Sequence, residues 1–183
     1  MIISNLPPLL KNQTCAVTGH RVLASDFNEK QLKNDLVKII EKGYSIFLTG
    51  MAQGFDLACF KALSILKKDY PEIKVCAVIP CQDQSKYFSL QEKKEYLELL
   101  DGADYIAEEE RPYFKGCMLV RNNYLVENSS LLYAYFNGEK RGGTYYTVKK
   151  ASEKGVSTEY YGAILWKNYF YFFLLQRRTW QKL

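Results

Sequence analysis

Short apolar runs alternate with helical patterns along most of this chain, and that alternation restricts the fold more than any other feature. Residues 14–18, 45–49, 73–79, 104–107 and 130–136 read as strands. Between them, 28–42, 55–68, 90–100 and 117–128 read as helices, and 145–155 as a last one. In 28–42, Leu32, Leu36, Ile39 and Ile40 recur at helical spacing and Gly43 closes the pattern. The strand runs show no polar alternation, so both of their faces must be covered. Apolar strands separated by helices imply a mainly parallel sheet between two helical layers, an α/β fold.

Three glycine turns follow such runs. Thr18-Gly19-His20-Arg21 follows the first strand, Thr49-Gly50 to Gly54 the second, and Arg141-Gly142-Gly143-Thr144 the run 130–136. Glycine lets backbone N–H groups approach a phosphate closely, and a following helix adds the positive end of its dipole. Each turn alone is weak, since most such turns are plain connections. Their shared place matters more, because parallel sheets bind ligands at the carboxyl ends of their strands. The spacing matches neither the dinucleotide fingerprint nor the Walker loop, and no Gly-Lys-Ser/Thr occurs.

Several side chains near these turns have binding chemistry. Arg21 suits a two-pronged grip on phosphate. His20 is placed either to donate to a ligand or to lie on the surface. Asp56 either stabilises a helix start or takes a ribose hydroxyl. Thr144 either caps its helix or donates its hydroxyl. Arg121 and Asn122 lie on the helix before the last central strand, facing either a cleft or solvent. The charged stretch from Glu108 to Pro112 reads as a solvated turn.

Composition removes several classes. The 183 residues are 48% hydrophobic, which argues against disorder and for one compact domain. The formal charge is +5, of which residues 157–183 carry +3. The nearly balanced body argues against a broad nucleic-acid face. Five cysteines without a CxxC pair, and a single histidine, leave no metal-ligating set. Free, apolar-flanked cysteines fit a reducing cytoplasm. The start lacks a signal-peptide pattern, and Lys167 and Asn168 interrupt the longest apolar stretch, so no transmembrane span is expected.

Taken together, Ala16-Val17-Thr18-Gly19-His20-Arg21, Thr49-Gly50 with Gly54 and Asp56, Ile79-Pro80, Gly102-Ala103-Asp104, Arg121-Asn122 and Gly142-Gly143-Thr144 resemble the SLOG superfamily. Within it, the chain is similar to the DUF1273 group of YpsA-like bacterial proteins. The resemblance runs from about Thr14 to Val156 and implies a single Rossmann-like three-layer sandwich. The superfamily includes LOG phosphoribohydrolases, DprA-type DNA-binding proteins and sensor domains proposed to bind nucleotide-derived ligands. LOG enzymes carry an arginine that Arg121 matches, and a catalytic glutamate soon after their Gly-Thr. Here Tyr145, Tyr146, Thr147 and Val148 follow Thr144. The cradle without the acid favours binding over hydrolysis.

The expectation is therefore a cytoplasmic domain over 14–156 that binds a nucleotide or phosphoribosyl-containing small molecule, without a metal. Gly19, His20, Arg21, Thr49, Gly50, Gly54, Asp56, Arg121, Asn122, Gly142, Gly143 and Thr144 are its ligand-binding candidates; no catalytic residue is assigned. The alternatives are a divergent LOG-like nucleoside monophosphate phosphoribohydrolase and a DprA-like single-stranded DNA binder. Residues 1–13 form an extension. Residues 157–183 form an aromatic, basic end, with Ala163 to Trp166 as a candidate last strand and Tyr169 to Leu175 as a terminal element or homodimer surface. A membrane-surface role ranks third.

Overall fold

The computed structural model describes residues 10–162. Its strands are β1 (Thr14–Gly19), β2 (Ile46–Thr49), β3 (Lys74–Ile79), β4 (Tyr105–Glu108), β5 (Leu131–Tyr135) and β6 (Ser157–Tyr160). Its helices are α1 (Glu29–Glu41), α2 (Phe55–Leu66), α3 (Leu90–Asp101), α4 (Cys117–Glu127) and α5 (Gly142–Glu153). Among the described residues, these strands form one sheet in the order β4-β3-β2-β1-β5-β6, with every pairing parallel. This is the Rossmann-like α/β sandwich that the sequence implies.

The register explains the unbroken apolar runs. Cys15 lies between Phe47 and Leu131, and Ala16 between Leu48 and Leu132. Successive residues point to opposite faces, and each face has its own core. Cys15, Val17, Phe47 and Tyr133 pack with Leu36, Ile39 and Leu63 from α1 and α2. Ala16, Leu48, Cys76 and Leu132 pack with Leu125, Val126 and Ala151 from α4 and α5. All five cysteines are free and buried.

Local signals set the helix starts. The Asn28 side chain accepts from the Lys30 and Gln31 N–H groups at the head of α1. Ser89 and Glu92 form a reciprocal capping box on α3.

Among the described residues the last strand is 157–160; Ala163–Trp166, Tyr169–Leu175 and the expected dimer surface lie outside the described residues. Two features depart from the sequence reading. Helix α5 begins at Gly142 rather than Tyr145, so the glycine motif is its first turn. The charged stretch after β4 is not simply solvated: Glu109 is buried and takes two hydrogen bonds from Arg111, at 2.9 and 3.0 Å. The strand pattern continues past Glu108, because Glu109 N–H still bonds Ile79 O, and that carries the side chain inward.

The sheet order fixes where a ligand can sit. From β1 the chain steps to β2 on one side, while β5 lies on the other. Loops leaving β1 and β5 diverge to opposite faces, and a crevice opens between them at their carboxyl ends.

Candidate functional site

The loop after β2 is the rigid floor of this crevice. Thr49 is fully buried, and its hydroxyl accepts from the Met51 N–H at 3.3 Å. Met51 is buried with φ +53, an unusual backbone for a side chain of its size. Gly54 has φ +78, and a Cβ there would stand 2.3 Å from Arg21 O. The loop after β1 is thereby pressed against the loop after β2, and only glycine allows that approach.

Two further glycines serve the protein's own packing. A Cβ on Gly19 would meet the Phe55 side chain at 2.4 Å. One on Gly50 would stand 1.7 Å from Nη1 of Arg121. Arg121 reaches from α4 across to this loop. It donates through Nη1 to Gly50 O and Val78 O, and through Nε to Asn122 Oδ1. Among the described residues Nη2 has no acceptor. Arg121 is 5% exposed, so desolvation lowers its pKa, opposed chiefly by the nearby Asp56.

Asp56 sits in the first turn of α2 and is 4% exposed. Its carboxylate accepts from the Ala52 N–H at 3.4 Å, so it braces the loop before its helix. Desolvation pushes its pKa up to about 6, against the pull of the Arg121 guanidinium and of backbone N–H groups.

Helix α5 supplies the opposite wall. Its cap residue, Arg141, makes no side-chain cap bond. The first N–H groups of the helix therefore lack the usual acceptor, as at anion-binding helix ends. Thr144 lies inside the first turn and does not cap the helix, leaving its hydroxyl as a donor. Gly143 faces open space: a Cβ there meets only Asn122 Nδ2, at 3.8 Å.

These groups enclose a cavity of about 250 Å³ at the carboxyl ends of β1, β2 and β5. Gly19, His20, Arg21 and Asp56 line one side; Arg121, Asn122, Gly143 and Thr144 line the other. Eight of the twelve expected residues thus meet in one place. Thr49, Gly50, Gly54 and Gly142 stand behind or beside the lining rather than in it. His20 Nε2 accepts from the Asn137 N–H at 3.0 Å, which puts the imidazole proton on Nδ1.

Thr18, Ala52 and Met118 also line the cavity and were not anticipated. Met118 had a signal, since it precedes Arg121 by three residues and shares its helix face. A larger cleft, of about 610 Å³, shares Arg21, Ala52 and Met118 with the cavity. Cys81 lines that cleft, but burial and its neighbour Cys117 push its thiol up to about 12, so it is no ready nucleophile. Among the described residues no helix is long and apolar enough to cross a membrane.

Known proteins are similar to this chain in sequence and in fold. The UPF0398 protein YpsA of Bacillus subtilis is 27% identical over 128 residues, covering 69% of this chain and 71% of its own. The uncharacterized SPbeta prophage-derived protein YoqJ of the same organism is 31% identical over 129 residues, covering 61% and 75%. Among solved structures, DNA processing protein A (DprA) of Streptococcus pneumoniae superposes with a TM-score of 0.61 at 20% identity. That match covers 82% of this chain and 50% of DprA, so the chain spans half of that protein. The DprA of Helicobacter pylori, whose structure is described for its single-stranded DNA binding mode, gives a TM-score of 0.58 at 16% identity. At these identities the likeness is one of fold. The YpsA family model, described as the YspA SLOG family, matches residues 17–167. With most of its length inside that match, the chain belongs to the YpsA SLOG family.

Proposed function

We propose that this SLOG domain binds a nucleotide or another small molecule carrying a phosphoribosyl group. One observation carries the reading: an uncapped helix start, two arginines and a carboxyl converge on the cavity at the switch point of the sheet. The N–H groups opening α5 and the guanidinium of Arg21 take the phosphate. Asn122 and the free edge of Arg121 take ribose oxygens, and Asp56 takes a ribose hydroxyl. The near-balanced charge of the body fits a small anion better than a polyanion.

Thermal unfolding in the presence of NAD, ADP-ribose, AMP and a single-stranded oligonucleotide tests the reading. A ligand at a hundred times its dissociation constant stabilises by about 2.7 kcal/mol. For a domain of this size the shift is roughly 5–10 °C. A shift with a nucleotide supports the reading. A salt-sensitive shift with the oligonucleotide alone replaces it with DNA binding.

A second reading, hydrolysis of the N-glycosidic bond of a nucleoside monophosphate, is favoured by the Asp56 carboxyl. With its pKa raised to about 6, it is partly protonated near neutrality and suits proton transfer to a leaving base. Free base released from AMP, and lost in Asp56→Asn, supports this reading; AMP that stays intact rejects it.

A further inference from the structure

The small cavity is too small for a whole nucleotide. At about 250 Å³ it falls below the roughly 300–1,000 Å³ usual for small-molecule sites. It has room for a phosphate and a sugar, so the remainder of a nucleotide bound there would extend beyond it. The adjoining cleft, at about 610 Å³, shares the Arg21, Ala52 and Met118 walls and is the contiguous space.

We propose that this cleft is a base subsite, in which Tyr87 and Tyr113 stack on the planar heterocycle of a nucleoside 5′-phosphate. The proposal rests on the nucleotide reading above. Both tyrosines line the cleft, yet Tyr87 is 88% exposed and Tyr113 is 61% exposed. Among the described residues every other phenylalanine and tyrosine is buried or half-buried, so two large rings left in water at the mouth of a cavity stand out. Phe88 adds a third ring to the lining. Lys86 Nζ stands 5.4 Å from the Tyr87 ring centre, covering one side of that ring.

The walls are braced. Gln84 Nε2 donates to Gly50 O at 3.0 Å and to Met51 O at 2.7 Å. Asp83 Oδ1 accepts the Tyr113 N–H at 2.7 Å, and Gln82 N–H bonds Arg111 O at 3.1 Å. The loop between β3 and α3 is therefore tied to the floor of the cavity on one side and to the loop after β4 on the other. A preformed cleft loses little entropy when a flat ring enters. Every base offers a π-face, so stacking of this kind tolerates different bases. Arg21, on the shared wall, marks where the phosphate end begins.

Calorimetric titration of the full chain with AMP, CMP and ribose 5-phosphate tests the proposal. The comparison variant is Tyr87→Ala with Tyr113→Ala. Both side chains are exposed and the Tyr113 N–H that Asp83 holds is kept, so the variant folds as the parent does. For the wild type, AMP and CMP are expected to bind roughly tenfold or more tighter than ribose 5-phosphate. In the variant, both nucleotides fall to the affinity of ribose 5-phosphate, which itself does not change. Equal binding of AMP and ribose 5-phosphate to the wild type overturns the base subsite and leaves the phosphate cradle standing. So does AMP binding that survives the double substitution, or a variant that loses AMP and ribose 5-phosphate alike. If neither AMP, CMP nor ribose 5-phosphate binds the wild type, the nucleotide reading itself fails, and the subsite with it.

Discussion

The guanidinium of Arg121 occupies the space that any side chain at Gly50 would need. A Cβ on Gly50 would lie 1.7 Å from Nη1, while the Gly50 carbonyl accepts from that same nitrogen. The glycine and the arginine are one device: the missing side chain admits the cation, and the backbone holds it. Gly50→Ala is expected to destabilise by about 2–4 kcal/mol, because it displaces a buried charge from its acceptors. In an Arg121→Ala background the same change should cost much less. Urea unfolding of the two single variants and the double variant checks this through their coupling energy.

Gly143 is the converse case. Space around it is open, and only Asn122 Nδ2 approaches, at 3.8 Å. Gly143→Ala should fold with a midpoint close to that of the parent. Gly143→Asp should also fold, but it sets a carboxylate where the phosphate is proposed to sit. Loss of AMP binding in the Asp variant, with wild-type unfolding, is the expected pair of results. Unchanged affinity sinks the cradle assignment.

Asp56 makes a prediction about pH. Its pKa is about 6 in the folded chain against an ordinary value of 3.8, so the folded state holds its proton more tightly. Its ionisation therefore weakens the fold above about pH 6, and that penalty fades as pH falls towards 4. Asp56→Asn has no such penalty. The stability of the Asn variant relative to wild type should improve by on the order of 2–3 kcal/mol between pH 4 and pH 8. Unfolding curves at those two pH values read the difference directly, and a flat difference would exclude a raised Asp56.

Asp104 is a structural bracket. It accepts from the Val75 N–H at 2.8 Å and from Lys67 at 2.7 Å, with Lys74 at 3.5 Å. Despite desolvation, these bonds hold its pKa below the ordinary value. Its contribution is present above about pH 4 and is lost as pH falls further. Asp104→Ala should cost about 1–3 kcal/mol and leave AMP affinity unchanged, as measured by unfolding and titration.

The strands and helices were legible because a parallel sheet writes its burial into the sequence. Val17, Phe47 and Val75 could only belong to strands covered on both faces. The cavity was legible because its parts follow strands, as with Arg21 after β1. Other features depend on distances between remote residues. Gly19 lines the cavity and Gly50 stands behind it, and the side chains of Phe55 and Arg121, remote in sequence, leave no room for a Cβ at either. The burial of Glu109 was hidden because three consecutive glutamates suggest solvent, whereas its place depends on continued pairing with Ile79. Tyr87 and Tyr113 are far apart in the chain, and only the folded structure, in which Asp83 holds the Tyr113 N–H, brings both to the lining of one cleft.

The central place of β1 has a consequence for how the chain is made. On the ribosome β1 emerges first, followed by β2, β3 and β4, which can all add to one side of it. Its other side stays open until Leu131 and Leu132 arrive to pair with Cys15 and Ala16. Until then the nascent chain carries an unpaired apolar strand edge, the kind that invites sticking to other chains. Arg121 and the start of α5 are also among the late arrivals. A chain stalled before them has a half-sheet and only part of the lining of the cavity, so the walls of that cavity can meet only after α5 has been made.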